Sequence, residues 1–402
     1  MMKNENGSFY GWFIILLGCL TNFLAVGIPL MCMPVLFKQI SDELGLSLAQ
    51  VGAVWGMLGL GNMLNSPFAG MIGDRFGIKP TVIFFCIFSG TLCAARGMAN
   101  SFAMLSITMF LYSFMANPLP LIIYKSSSAW IPPKKIVIAN GILSTGVALG
   151  FLSGVIISDT YLSPLVGGWR KVLYIYGALA VVMGVIWSFT RREPVITESD
   201  GTANSPGFIH ALSHVIRIKN VWLLSLTHLF YAGCMLGAIG YLPLYLRGIG
   251  WSMGSANGAV GLFNAAGMIC AIPITIISER LGIRKKIIIA ALVISTIAMS
   301  LLSFQTGIMV LVFLILLGFT RDGYVSVILT MTTESEGVGP KYAATAMGMI
   351  FAFGNMGVFL SSPVGNRLAE INTHYALFFW AALIMSALII FSFTRERARM
   401  YD

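Results

Sequence analysis

Gly73-Asp74-Arg75-Phe76-Gly77-Ile78-Lys79 and Ser278-Glu279-Arg280-Leu281-Gly282-Ile283-Arg284 are two copies of one pattern. Each runs acid, arginine, a glycine two residues on and a base two beyond that. An apolar run ends where each copy begins, and the full set falls at about 10–34, 50–73, 80–99, 102–124, 137–158, 171–190, 220–246, 256–277, 286–304, 307–331, 345–366 and 375–394. Each run is close to the roughly 20 residues a helix needs to span a bilayer. Transmembrane strands would be half as long and alternate in polarity, which excludes a barrel. Each copy of the loop lies between the second and third runs of its own half. The fold class expected is therefore all-α and integral to the membrane, with twelve transmembrane helices in two pseudo-symmetric six-helix bundles.

Composition agrees. Of 402 residues, 57% are hydrophobic and 10% charged, against about 25% charged in a soluble domain. That is too little charge to cover a water-facing surface of this size. The six cysteines, Cys19, Cys32, Cys86, Cys93, Cys234 and Cys270, all lie inside apolar runs. None has metal-ligand spacing or a loop partner, so they read as packing residues. Met1 to Ser8 is short and polar, and no small-residue cleavage site follows. The first run reads as a retained span rather than a signal peptide.

Lysine and arginine set the orientation. With the amino terminus inside, the outer segments hold only Lys38, Arg170, Lys171, Arg247 and Arg367. Arg96 and Arg321 fall within spans, and the other 18 of the 25 lie in inner segments. Both termini are expected in the cytoplasm, with the chain multi-pass in the inner (plasma) membrane. The net charge of +10 follows from this topology and needs no nucleic-acid partner.

The longest polar interval divides the runs six and six, giving an N-terminal bundle at 1–190, a cytoplasmic linker at 191–219 and a C-terminal bundle at 220–402. Asn204-Ser205-Pro206 reads as a helix start. After it Phe208, Ile209, Leu212, Val215 and Ile216 recur at helical spacing opposite His210, His214 and Arg217. The expectation is an amphipathic helix on the inner membrane surface. The two histidines have metal-ligand spacing but lack a third ligand.

Gly318-Phe319-Thr320-Arg321-Asp322-Gly323-Tyr324 lies in mid-run. An arginine cannot shed its charge in a protein, and at mid-bilayer it costs roughly 2.5–3.5 kcal/mol on insertion scales. Arg321 is expected to face an aqueous cavity and hold an anion there, a small carboxylate, which its fork of donors matches. Tyr324 shares its helical face. Asp322 is about 100° round the helix, so the two side chains are expected to diverge. It is the candidate for proton coupling, since substrate neutralising Arg321 would let Asp322 take up a proton. The plainer alternative is a structural Arg321–Asp322 partnership. No Ser/His/Asp set, phosphate loop or metal cluster occurs, so neither an enzyme nor a cofactor is implied.

The paired loops resemble the signature loop of the major facilitator superfamily and its weaker second copy at Glu279-Arg280, a resemblance that covers essentially the whole chain. It implies two six-span halves related about the membrane normal and a cavity lined by spans 1, 2, 4, 5, 7, 8, 10 and 11. The mid-depth polar residues Asn22, Tyr112, Asn117, His228, Tyr231, Asn264 and Asn355 then become further substrate-binding candidates, each with interhelical hydrogen bonding as the alternative. Asp74, Arg75, Lys79, Glu279, Arg280 and Arg284 become gating candidates, against the alternative of solvated turns. Gly146, Gly150 and Gly154 read as a packing ladder, and Pro29, Pro34, Pro243 and Pro273 as bends.

Tyr10-Gly11-Trp12 and Gly168-Trp169-Arg170 resemble the monocarboxylate transporter and oxalate–formate antiporter branch, which implies small organic anions moved by proton symport or exchange. Those relatives carry an arginine in span 8, where Gly267 to Pro273 is uncharged here. The arginine-led signature of drug–proton antiporters is missing from Leu105 to Pro118. The function expected is secondary active transport of a small organic anion by alternating access, by a monomer. The alternatives are an exchanger or exporter of a neutral or zwitterionic solute or drug, or a membrane receptor that does not transport.

Overall fold

The computed structural model describes residues 5–191, 208–305 and 307–394, and within its helices all side chains except those at 5–8, 67–75, 208, 272 and 279. The helices are α1 (5–44), α2 (Leu48–Phe76), α3 (Ile78–Gly97), α4 (Phe102–Trp130), α5 (Pro133–Val166), α6 (Trp169–Ser188) and α7 (Phe208–Val215). There follow α8 (Lys219–Ile239), the short α9 (Leu242–Gly248), α10 (Met253–Leu281), α11 (Arg284–Leu302), α12 (Ile308–Thr333), α13 (Gly339–Ile371) and α14 (Thr373–Ser392). Each of the twelve apolar runs is one of these rods, with α8 and α9 sharing a run. Among the described residues, eleven of them (all but α2, α7 and α9) are long and apolar enough to cross a membrane. Several rods outrun their apolar stretch: α1 continues through Pro34 to Leu44 after a π-helical turn at Asn22–Gly27. Ser101, Ser252 and Asn372 cap the starts of α4, α10 and α14 by accepting the backbone N–H of Met104, Ser255 and His374.

The repeated loop keeps two features in both copies, a glycine of positive φ and a lysine cap just beyond it. Gly77 and Gly282 both take positive φ, 82° and 63°, a conformation glycine adopts without strain. Just beyond, a lysine caps the last helix of the same bundle. Lys79 Nζ donates to Thr190 O at 2.5 Å, and Lys285 Nζ donates to Ser392 O at 3.0 Å and Thr394 O at 2.7 Å. Carbonyls at a helix end lack intrahelical partners, so a lysine at each loop satisfies them. In the second copy Arg284 makes a different contact. It is buried and ion-paired with Glu334 at the end of α12. Arg280 is exposed. Asp74, Arg75 and Glu279 lie outside the described side chains.

By contacts the described residues form two units, those within 1–46 and 64–191 in one and those within 47–63 and 208–394 in the other. The first part of α2 thus packs with the second unit: Trp55 Nε1 donates to Leu236 O at 2.7 Å, and Asn366 Nδ2 to Leu48 O at 3.0 Å. Within each unit the helix pairing repeats. The first packs α1 on α5 and α3 on α6, and the second packs α8 on α13 and α11 on α14. Glycines make these pairs close. A Cβ at Gly146 would overlap the carbonyl of Cys19, at Gly150 it would stand 2.7 Å from Gly27 Cα, and at Gly154 2.9 Å from Ile28 O. The ladder therefore packs α5 on α1, while a Cβ at Gly357 of α13 would overlap Leu229 O of α8.

Gly146→Ala should lower the thermal stability of the purified protein by about 1–3 kcal/mol through overpacking. Gly141→Ala, on the same helix with nothing within 4 Å of the new Cβ, should not. Differential scanning fluorimetry in detergent measures both, and equal effects would contradict the seam.

Candidate functional site

Arg321 leaves α12 toward α10. Its Nε donates to Asp322 Oδ1 at 2.8 Å and its Nη2 to Asp322 Oδ2 at 3.0 Å. Nη1 donates to Asn264 Oδ1 on α10 at 2.9 Å, and Cζ lies 4.7 Å from the centre of the Phe263 ring. Asn264 is itself oriented by its Nδ2, which donates to Val260 O at 3.0 Å. The guanidinium is therefore held on three sides. Arg321 is 8% exposed, whereas the Asp322 side chain keeps 34% of its surface.

The expected divergence of these neighbours is corrected by the structure. Helical periodicity fixes the direction of each Cβ, but the three-carbon stem of an arginine can turn back through more than that angle. A buried charge without a partner is far more costly than the lost rotamer freedom. The result is a forked, bidentate pair between adjacent residues, neutral in sum. It lodges against Gly267 of α10, where a Cβ would stand 2.6 Å from Asp322 Oδ2 and 3.1 Å from Arg321 Nη2.

Beside the pair lies a stack of rings. Tyr231 and Tyr324 have centroids 3.8 Å apart, and His228 lies nearly parallel to Tyr324 at 6.0 Å. All three are buried. Among the described residues, Tyr324 Oη and His228 Nδ1 have no hydrogen-bond partner. Of the sequence candidates in this unit, Arg321, Asp322, Asn264, Tyr231, Tyr324 and His228 thus form one neighbourhood. Asn355 stands apart, its Nδ2 bonded to Phe351 O one turn back.

The candidates of the first unit do something else. Asn22 is fully buried in the π-helical turn and donates to Leu143 O of α5 at 3.0 Å, which ties two helices. Tyr112 is buried beneath the Arg96 guanidinium, 3.8 Å from Cζ to ring centre. Asn117 sits at the turn inside α4, half-buried. Arg96, which the sequence marks only as a charge within a span, is fully buried and donates from Nη2 to Pro29 O and Cys93 Sγ, both at 3.0 Å. Phe263 and Gly267 escape sequence reasoning altogether, since an apolar ring and a glycine inside an apolar run carry no signal of their own. Buried Asp159, which accepts from Gln39 Nε2 at 2.6 Å, escapes it by lying at the edge of its run. The histidine pair of α7 gains no third ligand: among the described residues no group of three metal-ligating side chains exists, and His214 Nε2 is bonded to Gly337 O.

The motifs behind the finer resemblance are structural ties of the first unit. Tyr10 Oη accepts the Arg191 backbone N–H at 2.6 Å. Trp169 Nε1 and Arg170 Nε both donate to Glu43, at 2.6 and 2.9 Å, and Arg170 Nη1 caps the end of α3 through Gly97 O and Ala99 O.

The Major Facilitator Superfamily model matches residues 12–362 and 260–400. The chain belongs to that superfamily. The hexuronate transporter of Bacillus subtilis is 25% identical over 52% of this chain and 50% of its own length. The probable nitrate/nitrite antiporter NarK1 of Thermus thermophilus is 28% identical over 52% of this chain and 48% of its own. The chain thus spans about half the length of these superfamily relatives. The 4-hydroxybenzoate transporter PcaK of Pseudomonas putida is 22% identical over 94% of this chain and 91% of its own. Among solved structures, a bacterial homolog of the human lysosomal transporter Spinster gives a TM-score of 0.76 at 19% identity, covering 96% of this chain and 95% of that one. A mutant of the nucleoside transporter NupG gives 0.77 at 14% identity, covering 94% and 97%. These last two likenesses are of fold. The relatives named here do not single out the monocarboxylate branch.

If Arg321 and Asp322 act as one unit, Arg321→Met and Asp322→Asn should each lower thermal stability, and the double variant should lose less than their sum. A coupling energy of roughly 0.5–3 kcal/mol is expected for contacting residues. Strict additivity in a double-mutant cycle would show that the two side chains are not energetically coupled.

Proposed function

We propose that this superfamily member is a secondary transporter of a small organic anion, with a monocarboxylate as the leading class, and that Arg321 is the group that holds the anion. One observation carries the reading: Asp322 occupies the forked edge of Arg321 as a substrate carboxylate would. Asn264 holds the guanidinium by Nη1, which leaves the Nε and Nη2 edge for whichever carboxylate is present. In support, relatives of this chain are named for anionic cargo: hexuronate, nitrate and nitrite, sulfoacetate and 4-hydroxybenzoate.

Charge then dictates the order of events. With Asp322 ionised the pair is neutral, and an arriving anion meets no net attraction. A proton on Asp322 cancels its claim on the fork and leaves one positive charge for the substrate. The partial exposure of the Asp322 carboxylate gives that proton a route. Proton and carboxylate enter together and leave together, which is symport, and the emptied fork returns to Asp322. We place both termini in the cytoplasm and the chain in the inner membrane, on the lysine and arginine bias. Lys79 and Arg284, engaged at helix ends within their own units, are placed among the groups that rearrange during alternating access.

A second reading is favoured by the depth of burial of Arg321 and its internal hydrogen bonds to Asp322 and Asn264: the pair is structural and the cargo neutral or zwitterionic. Counterflow in proteoliposomes with a panel of labelled carboxylates and neutral solutes, with and without a pH gradient, separates the two. On our reading Arg321→Lys loses the bidentate edge and with it about 10–100-fold of carboxylate counterflow. Asp322→Asn keeps counterflow but loses the response to the gradient. Flux of a neutral solute alone, undiminished in Arg321→Lys, would establish the second reading.

A further inference from the structure

Helix α7 turns two different apolar faces outward and inward, where the sequence pattern offered one. Ala211 and Val215 are buried, and Val215 joins Val221, Val338, Ala346 and Met349 in a core with the start of α13. Ile209, Leu212 and, just past the helix, Ile216 stay exposed, Ile209 to 82%. At 100° per residue these three fall within an arc of about 60°. On the same reckoning Arg217 and His210 lie about 80–100° beyond one edge of that arc and Lys219 follows, all three exposed, and no acid occurs between 208 and 222. After three intervening residues the chain enters α8, which is apolar and long enough to span. The exposed arc therefore lies close to the start of a candidate span, with basic groups to one side of it.

The inward face is tied to one place. His214 Nε2 bonds Gly337 O at 2.8 Å, and the His214 ring stacks on Tyr342 with centroids 4.1 Å apart. Asn220 Nδ2 donates to Ser335 Oγ at 2.7 Å. Ser335 and Gly337 belong to the turn between α12 and α13, and α12 carries Arg321 and Asp322. The exposed arc on one face of α7 and the α12–α13 turn on the other are thus joined through a single short helix.

We propose that the exposed arc of α7 binds a membrane surface rich in acidic phospholipid, and that His214 passes this binding to the α12–α13 turn. The apolar arc seats among the acyl chains, and the basic groups to one side of it meet the headgroups. A basic residue near such a surface strengthens association about fivefold. The inference holds for any cargo.

The test uses the full chain bearing Ile209→Cys, labelled with an environment-sensitive fluorophore, in vesicles of phosphatidylcholine alone or mixed with phosphatidylglycerol. Spin-labelled lipid should quench the probe more strongly in the mixed vesicles, and Arg217→Gln should reduce that difference several-fold. Amide hydrogen exchange at 335–338 should slow in the mixed vesicles. His214→Ala should abolish the slowing while quenching persists, and His214→Gln, which keeps a donor toward Gly337, should restore it. Equal quenching in both vesicles, or none in either, overturns the acidic-lipid surface. Exchange at 335–338 that ignores the lipid, or still responds to it in His214→Ala, overturns the link to the turn.

Discussion

A guanidinium keeps its proton wherever it is placed, so an apolar helix that carries one must also supply its partners. In α12 the partners are the next residue, Asp322, and Asn264 across the interface with α10. Much of the local packing follows from that need. Gly267 leaves space for the pair, and Gly318, one turn before Arg321, lets α12 come so near that a Cβ there would overlap Phe263 O. Phe263 then presents its ring face to the guanidinium, an attraction that strengthens where water is excluded. The same compact arrangement that neutralises the charge holds its forked edge against the Asp322 carboxylate.

Around this site the two units solve identical problems with different residues. Each seals its first helix against its fifth through small residues, at Gly146, Gly150 and Gly154 in one and at Gly233 and Gly357 in the other. Each satisfies the carbonyls at its last helix end with a lysine from the start of its third. Between helices in a bilayer no hydrophobic driving force is available, so close backbone approach and hydrogen bonding must supply the attraction. The polar inventories differ. The first unit buries Arg96 among thiols, a thioether, a carbonyl and the Tyr112 ring, with no carboxylate bonded to it among the described residues. The second buries Arg321 against Asp322.

The helical rods and their duplication were legible because both depend on patterns of fixed length. A span needs about twenty apolar residues, and a copied loop keeps its acid, arginine, glycine and base in order. Arg321 was legible because a charge in such a run is conspicuous. What that charge does was not, because helical spacing specifies where a Cβ points and says nothing of where a long flexible side chain ends. Asn264 as a ligand of Arg321 depends on the approach of α10 to α12, and Asn22 as a tie to Leu143 on that of α1 to α5. Neither approach is written in either segment alone. For α7 the spacing grouped Val215 with Ile209, Leu212 and Ile216, whereas the start of α13 claims Val215 for its own core. Residues 47–63 read as part of the first bundle by order along the chain, yet their contacts lie with the second unit.

The central claim is that a substrate carboxylate and Asp322 compete for one guanidinium, so that anion binding and protonation of Asp322 are a single event. Isothermal titration of the purified protein with the carboxylate selected by counterflow, in two buffers of different ionisation enthalpy, counts the protons taken up per anion bound. The account predicts net proton uptake on anion binding, disappearing in Asp322→Asn. Anion binding with no proton uptake, at an affinity that Arg321→Lys leaves unchanged, would contradict it.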